Sequence, residues 1–105
     1  MPVVTTSNSV VATSGNAAAS ITVAGAAGKR VDLRQIIWSY AGDPTSGNVI
    51  VSAGTSAVLS FEIASGGVGS LTLDGLMGNT GSSVTVTLGS GTSVIGTLNA
   101  YWRQS

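Results

Sequence analysis

The residues of this chain that could do chemistry are few, and their types exclude most catalytic arrangements. The sequence contains no His and no Cys, which excludes Ser-His-Asp and Cys-His arrangements and zinc sites of the usual ligand types. The four carboxylates, Asp32, Asp43, Glu62 and Asp74, are scattered singly along the chain. A glycosidase needs two carboxylates that face each other across the substrate, and the spacing indicates no such pair. We therefore predict a protein that is not an enzyme and that uses no cofactor and no metal ion.

Two of the carboxylates stand before residues that are typical of turns. Asp43 precedes Pro44 and Asp74 precedes Gly75, so we predict that both aspartates form turns rather than bind calcium. The glycine-rich segments 66–69 and 78–81 are not followed by the Gly-Lys-Ser/Thr sequence of a phosphate loop. We predict hairpin turns in both segments.

The composition is typical of a protein whose surface is covered in an assembly. The chain has 105 residues, of which four are basic and four acidic, with a formal net charge of zero and a mean hydropathy of +0.44. An isolated domain carries about a quarter charged residues, whereas this chain carries 8%. A surface of this kind tends to self-associate, which favours a structural role and a homo-oligomer.

Several classes of partner and location are excluded by the same sequence. Four basic residues and a pI near 5.9 give no electrostatic footprint for nucleic acid. The apolar stretches are interrupted every few residues, so no membrane helix is expected. The first eleven residues contain neither a basic region nor a continuous apolar run, so we expect no secretory signal and synthesis in the cytoplasm.

Alternation of apolar and polar residues with a period of two predicts an all-β domain. In one segment Val84, Val86 and Leu88 alternate with Thr85 and Thr87, so the three apolar residues are predicted to face the core. Eight strands separated by glycine-rich turns predict a single-domain antiparallel β-sandwich with jelly-roll topology and two four-stranded sheets about 10 Å apart. The predicted strands are residues 9–13, 19–24, 29–41, 48–53, 57–63, 69–74, 83–88 and 94–103.

The long segment 29–41 is apolar on both faces along its second half, and two interpretations remain open. One alternating set of residues includes Ile37, and the other includes Trp38 and Tyr40. A β-bulge near Gln35 would reverse the two faces, and Trp38 and Tyr40 would then join the core. Alternatively, one face packs in the core while a neighbouring subunit covers Trp38 and Tyr40.

The start of the chain and its few basic and aromatic residues are the candidate contact sites. Residues 1–18, which precede a sandwich domain of residues 19–105, are either a frayed end with an edge strand or an arm that adds a strand to a neighbour's sheet. The basic residues near position 30 either keep an edge soluble or contact an acidic patch, and the aromatic residues either fill the core or form a platform for sugars. The predicted interface residues are Lys29, Arg30, Arg34, Trp38, Tyr40, Tyr101 and Arg103.

Two stretches of the sequence resemble small structural proteins of tailed bacteriophages. The first is Ile21-Thr22-Val23-Ala24 followed by Gly28-Lys29-Arg30-Val31-Asp32, which in those proteins leads into a long strand that ends in a pair such as Ser39-Tyr40. The second consists of Gly78-Asn79-Thr80, Val84-Thr85-Val86-Thr87-Leu88 and Gly96-Thr97-Leu98-Asn99. The resemblance covers about residues 19–102.

The resemblance implies a structural protein of the virion. Small β-sandwiches of this kind serve as capsid cement or decoration proteins, typically as trimers on the threefold and quasi-threefold axes of the head. It implies the major capsid protein or other virion proteins as partners, a homotrimer, and a location on the capsid surface after assembly in the host cytoplasm. The alternative is a binding module on the tail or a fibre, which recognises host surface glycan through its aromatic residues.

Overall fold

The computed structural model describes residues 7–13, 17–25, 27–45, 47–77 (backbone only for 74–77), 81–91 and 94–104. Its strands form two four-stranded antiparallel sheets, a front sheet in the order β1-β8-β3-β6 and a back sheet in the order β2-β7-β4-β5. Only the β4–β5 connection stays within one sheet, and this order is that of a jelly roll. The predicted fold class is therefore confirmed. The strands are β1 (Ser7–Ala12), β2 (Ala19–Val23), β3 (Val31–Tyr40), β4 (Gly47–Ala53), β5 (Ser56–Ile63), β6 (Gly67–Met77), β7 (Val84–Leu88) and β8 (Gly96–Gln104).

The sequence pattern explains the core between the two sheets. Val, Ile and Leu alternate with Thr, Ser and Asn along most strands, and these β-branched residues suit a pleated surface. Each strand therefore presents one apolar face, and the two faces pack against each other. The buried hydrophobic residues of this core are Ile21, Val23, Val31, Leu33, Ile36, Tyr40, Val49, Val51, Val84, Val86, Leu88, Leu98 and Ala100.

Two predictions about turns are wrong. Strand β6 continues past Asp74 and Gly75, because Leu76 and Met77 pair with Leu33 and Asp32 of β3 and extend the ladder. The segment 66–69 is not a hairpin turn, because β5 and β6 belong to different sheets and Gly67 already begins β6. Residues 78–80 of the other glycine-rich segment lie outside the described residues, as do residues 1–6 and 14–16 of the predicted arm. Within that arm, residues 7–12 form β1 at the edge of the front sheet.

A β-bulge in β3 decides which of its residues face the core. The register with β8 shifts between Leu33 and Gln35, so Arg34 is an extra residue in β3 at this point. Val31 and Leu33 face inward before the bulge, and even-numbered residues, including Ile36, face inward after it. The bulge interpretation of the sequence is thus confirmed, and it places Trp38 and Tyr40 on the inner side of the sheet.

Tyr40 occupies a narrow slot whose walls are glycines. Its side chain is 3% exposed, and its hydroxyl donates a hydrogen bond of 2.5 Å to the carbonyl oxygen of Gly89. A Cβ atom on Gly96 would lie 2.7 Å from the Tyr40 ring, and one on Gly91 would lie 3.2 Å from it. Glycine is needed at Gly96 because the ring occupies the space that a side chain would take.

Trp38 packs at the side of the sandwich between β5 and β6. It is partly buried against the core, and its ring centroid lies 5.3 Å from that of Phe61 at an interplanar angle of 54°. Gly69, its partner in β6, lies under the indole, where a Cβ atom would come within 2.5 Å of the ring. The tryptophan therefore fits only because position 69 carries no side chain.

This contact predicts a strong coupling between positions 38 and 69. Gly69→Ala should destabilise the protein by about 1–3 kcal/mol, because the new methyl group forces the indole to move. Trp38→Ala should cost about 2–4 kcal/mol by removing a partly buried aromatic side chain. In the Trp38→Ala background, Gly69→Ala should cost nothing or stabilise the strand. Denaturant unfolding of the two single variants and the double variant measures the coupling, and additive effects would contradict the contact.

Candidate functional site

The outer face of the front sheet is a broad surface without charged side chains over most of its length. Because β1, β8, β3 and β6 pair in register, their outward residues line up in three rows across the sheet. This surface, called the outer face below, combines amide and hydroxyl side chains with a few apolar ones. The rows are Asn8, Tyr101, Gln35 and Thr72; Val10, Asn99, Ile37 and Ser70; and Ala12, Thr97, Ser39 and Val68.

The apolar residues of the outer face are accessible. Val68 is 79% exposed and Val10 is 54% exposed, while Ile37 and Tyr101 are partly exposed. Isolated exposed valines are common on protein surfaces. Here they stand on a paired four-stranded sheet among uncharged polar groups, and the scarcity of charged residues is a property that this surface shares with the centre of a protein interface.

Charged residues begin at one end of the outer face, in the row next to the one that contains Tyr101. Asp32 lies opposite Arg103 in the register of β3 and β8. The Arg34 guanidinium donates a hydrogen bond of 3.1 Å to Asp32 Oδ2, and an Arg103 nitrogen lies 4.0 Å from the same oxygen. The Asp32 side chain is 10% exposed, whereas those of Arg34 and Arg103 are 37% and 32% exposed. One buried carboxylate therefore orients two partly exposed guanidinium groups.

The spacing of two residues explains how Arg34 reaches this carboxylate. Side chains two residues apart on a strand point to the same side of the sheet, which places the Arg34 guanidinium beside Asp32. Asp32 Oδ1 is buried and has no hydrogen-bond partner, so half of the carboxylate contributes nothing to holding the arginines. The ion pair is consequently a weak source of stability, and its effect is to fix the position of the two guanidinium groups.

The structure brings some of the predicted interface residues together and separates others. Tyr101 is on the outer face, and Arg34 and Arg103 border it. Lys29 and Arg30 are exposed at the same end of the sandwich, directly before β3. The last two predicted residues lie on the inner side of the front sheet: Tyr40 is in the core and Trp38 packs against it.

Sequence reasoning missed most of the outer face. Gln35 and Ile37 are on the outer face only because the bulge reverses the faces of β3. The sequence alone did not decide whether this bulge forms. Val10 and Val68 belong to edge strands that carry no strong alternation. The strand register would have identified these residues, because it aligns them with the outward residues of β8, which are uncharged from Thr97 to Tyr101.

The remaining titratable groups do not form a reaction centre in the described part of the chain. Asp43 Oδ1 accepts a hydrogen bond of 2.8 Å from the backbone N–H of Gly66, which is the behaviour of a loop-forming aspartate. Among the described residues, no group of three or more His, Cys, Asp or Glu side chains is placed to hold a metal ion. No described segment is a helix long and apolar enough to cross a membrane.

Comparisons with known proteins give similarity to solved structures. No family model matches the chain, and no curated protein matches it. Among solved structures, it is similar to the CBM36-1 domain of a multidomain xylanase from the hindgut metagenome of Trinervitermes trinervoides. The identity is 14% and the TM-score 0.49, over 90% of this chain and 75% of that one. This similarity carries no information about what the present chain binds.

The environment of Tyr40 predicts a pH dependence of stability. Burial raises the pKa of the Tyr40 phenol above its ordinary value of 10.0, and a backbone hydrogen bond from Asn48 offsets part of the rise. As the pH rises above about 10, the unfolded state loses this proton before the folded state does, so the free energy of unfolding falls. Stability from this group is fully present below about pH 10 and is lost as the pH rises through the folded pKa.

Tyr40→Phe tests this assignment. At neutral pH the variant should lose about 1–3 kcal/mol, because the Gly89 carbonyl oxygen loses its donor. Above about pH 10, its stability should fall less steeply than that of the parent protein, because the group with the raised pKa is gone. Thermal unfolding from about pH 7 to 11 measures both effects. Parallel curves for the two proteins across this range would contradict the prediction.

Proposed function

We propose that this protein is a non-enzymatic structural component of a tailed-bacteriophage virion, where it acts as a cement protein that binds the assembled head. The observation that carries the proposal is the outer face, a rigid four-stranded surface with no charge along three rows of residues. The resemblance of residues 19–102 to small phage structural proteins supports the same assignment. The partner is the major capsid protein, and the location is the capsid surface.

The outer face suits contact with another protein rather than exposure to solvent. Interface centres are poor in charged residues and rich in aromatic residues and arginine. The outer face has Tyr101 in its first row, and Arg34 and Arg103 border it. Its side chains stand on paired strands, so little conformational entropy is lost when a partner covers them.

Cement activity follows from selective binding by mass action. A protein that binds the assembled shell but not its free subunits stabilises the shell by RT ln(1 + [L]/Kd), which is about 2.7 kcal/mol per site when the free concentration is 100 times Kd. A homotrimer would present three outer faces at once to a threefold site. Binding of the first face would raise the effective concentration of the other two.

Recognition of glycan is a second candidate, and the position of Tyr101 favours it. The Tyr101 ring is partly exposed between Asn8 of β1 and Gln35 of β3. An aromatic ring can pack against the apolar face of a sugar, and neighbouring amide groups can bond to its hydroxyl groups. In this alternative the protein is a binding module of the tail or a fibre.

The cement proposal predicts a loss of head stability when the protein is absent. Particles made without its gene should release their DNA at a lower temperature than complete particles, and purified protein should restore the difference. Ile37→Asp places a charge at the centre of the outer face and should weaken binding at least about tenfold. Ser60→Asp, on the outward side of the back sheet, adds the same charge elsewhere and should bind normally. Equal DNA release with and without the protein would rule out a cement role.

The glycan alternative predicts saturable binding of host polysaccharide. Titration calorimetry with the polysaccharide should give measurable heat, which Tyr101→Ala should abolish and Thr97→Ala, two rows away, should leave unchanged. The tail or fibre assignment replaces the cement assignment if two results occur together. Tyr101→Ala abolishes the binding of glycan, and particles with and without the protein release DNA at the same temperature. Absence of heat with every polysaccharide fraction of a susceptible host would eliminate this candidate.

A further inference from the structure

The charged residues are segregated to the two ends of the sandwich, and the surface between them is uncharged on the front sheet. Residues of β3 run from one end, at Val31, to the other, at Tyr40. At about 3.3 Å per residue, these ends are roughly 30 Å apart, and the longest dimension of the molecule is 46 Å. This separation is well beyond the Debye length of about 10 Å at 0.1 M salt, so each end acts as a separate charged surface.

The end at the start of β3, called the basic end below, carries all the basic residues of the chain. Lys29 and Arg30 are in the connection before β3. Arg34 and Arg103 flank the carboxylate of Asp32, and Asp74 belongs to the half of β6 nearer this end. Four basic residues thus stand against two acidic ones, which leaves the basic end positive.

The opposite end, called the acidic end below, carries the other two carboxylates together with exposed apolar side chains. Asp43 follows β3, and its Oδ1 accepts a hydrogen bond from the N–H of Gly66 between β5 and β6, while Glu62 is the penultimate residue of β5. Val68, 79% exposed, and Ile95, 60% exposed, are at the same end. Their position is fixed because β6 and β8 both begin opposite Tyr40, and the Ala41 N–H donates a hydrogen bond of 2.9 Å to the Ile95 carbonyl.

We propose that copies of this chain associate head to tail, with the acidic end of one copy against the basic end of the next. The two ends are complementary in charge, and the acidic end adds apolar surface that a partner can cover. The net charge of zero means that copies do not repel one another. The inference follows from the placement of the charges and stands whether or not the protein binds a capsid.

Charged and apolar residues contribute differently to the free energy of this association. Exposed ion pairs are each worth little, and salt screens them, so the charges select the orientation of the copies and together supply the part of the affinity that high salt removes. Burial of Val68 and Ile95 adds favourable free energy that salt does not remove, but two side chains are too small an apolar area to hold copies together on their own. Because the contact joins two different surfaces, repetition of it gives either a closed ring or an open filament. Contacts of the same end with itself are disfavoured by like charge.

A charge-swap experiment tests this arrangement by light scattering behind a sizing column, at about 20 mM and about 500 mM salt. The parent protein should form oligomers at low salt and return toward the monomer mass of 10.3 kDa at high salt. Glu62→Lys and Lys29→Glu should each weaken association at low salt at least about tenfold. An equimolar mixture of the two single variants brings the unaltered acidic end of the Lys29→Glu copy against the unaltered basic end of the Glu62→Lys copy, so it should form dimers but no larger oligomers.

The double variant Val10→Lys/Ser70→Lys is the matched control, since it raises the net charge by two as Glu62→Lys does but lies in the middle row of the outer face, away from both ends. It should leave association unchanged. Circular dichroism of each variant shows whether the sandwich is intact, and both swap positions are exposed. A parent protein that is monomeric at low salt overturns the proposal. So does an oligomer that survives both high salt and Glu62→Lys, or a mixture of the two single variants that stays monomeric.

Discussion

The extra residue at Arg34 in β3 is the constraint on which the rest of the molecule depends. Without it, a regular strand would put Trp38 and Tyr40 on the solvent side together with Asp32 and would bury Ile37. With it, both large aromatic residues turn inward, and Gln35 and Ile37 join the outward side. One inserted residue therefore completes the core and also places Gln35, Ile37 and Ser39 on the outer face. The hydrogen bond from Arg34 to Asp32 holds the bulged residue in place.

The glycine-rich composition has a packing reason beyond its use in turns. A core built from Val, Ile and Leu leaves gaps at its ends, and two aromatic rings fill them. Tyr40 fits because Gly91 and Gly96 leave space around its ring, and Trp38 fits because Gly69 lies beneath it. Among the described glycines, positive φ occurs at Gly28, Gly67, Gly81 and Gly54, the last of which lies in the two-residue β4–β5 turn. Each of these aromatic residues is thus paired with a glycine on a neighbouring strand. A side chain added at the glycine would clash with the ring, and removal of the ring would leave a cavity.

The architecture was predictable from the sequence because its signal is local. A period of two across Val84, Val86 and Leu88 fixes the inner face of a strand, and eight such segments permit few packings other than two sheets. The candidate site was not predictable to the same degree. Its residues come from four strands distant in sequence, and their alignment depends on register, which alternation alone does not supply. The bulge near Gln35 could be suspected from the two apolar faces, but alternation alone did not decide between it and a covering subunit. β6 likewise continues past Asp74 and Gly75 because Leu76 and Met77 pair with β3 beyond them, across an irregularity in the register.

Low charge and charge placement have different consequences, and both are visible in this chain. A composition with 8% charged residues lowers solubility wherever the residues lie, but their segregation gives the molecule a direction. Had the same eight residues been mixed over the surface, self-association would have no preferred orientation and would favour aggregation. With basic residues at the start of β3 and carboxylates at Asp43 and Glu62, opposite ends attract and identical ends repel. Most of the neutral outer face is then left free to bind a different partner, because only Val68, in its third row, also belongs to the acidic end. A chain with so few charges can therefore keep two kinds of contact separate only by placing its charges away from the surface that must bind.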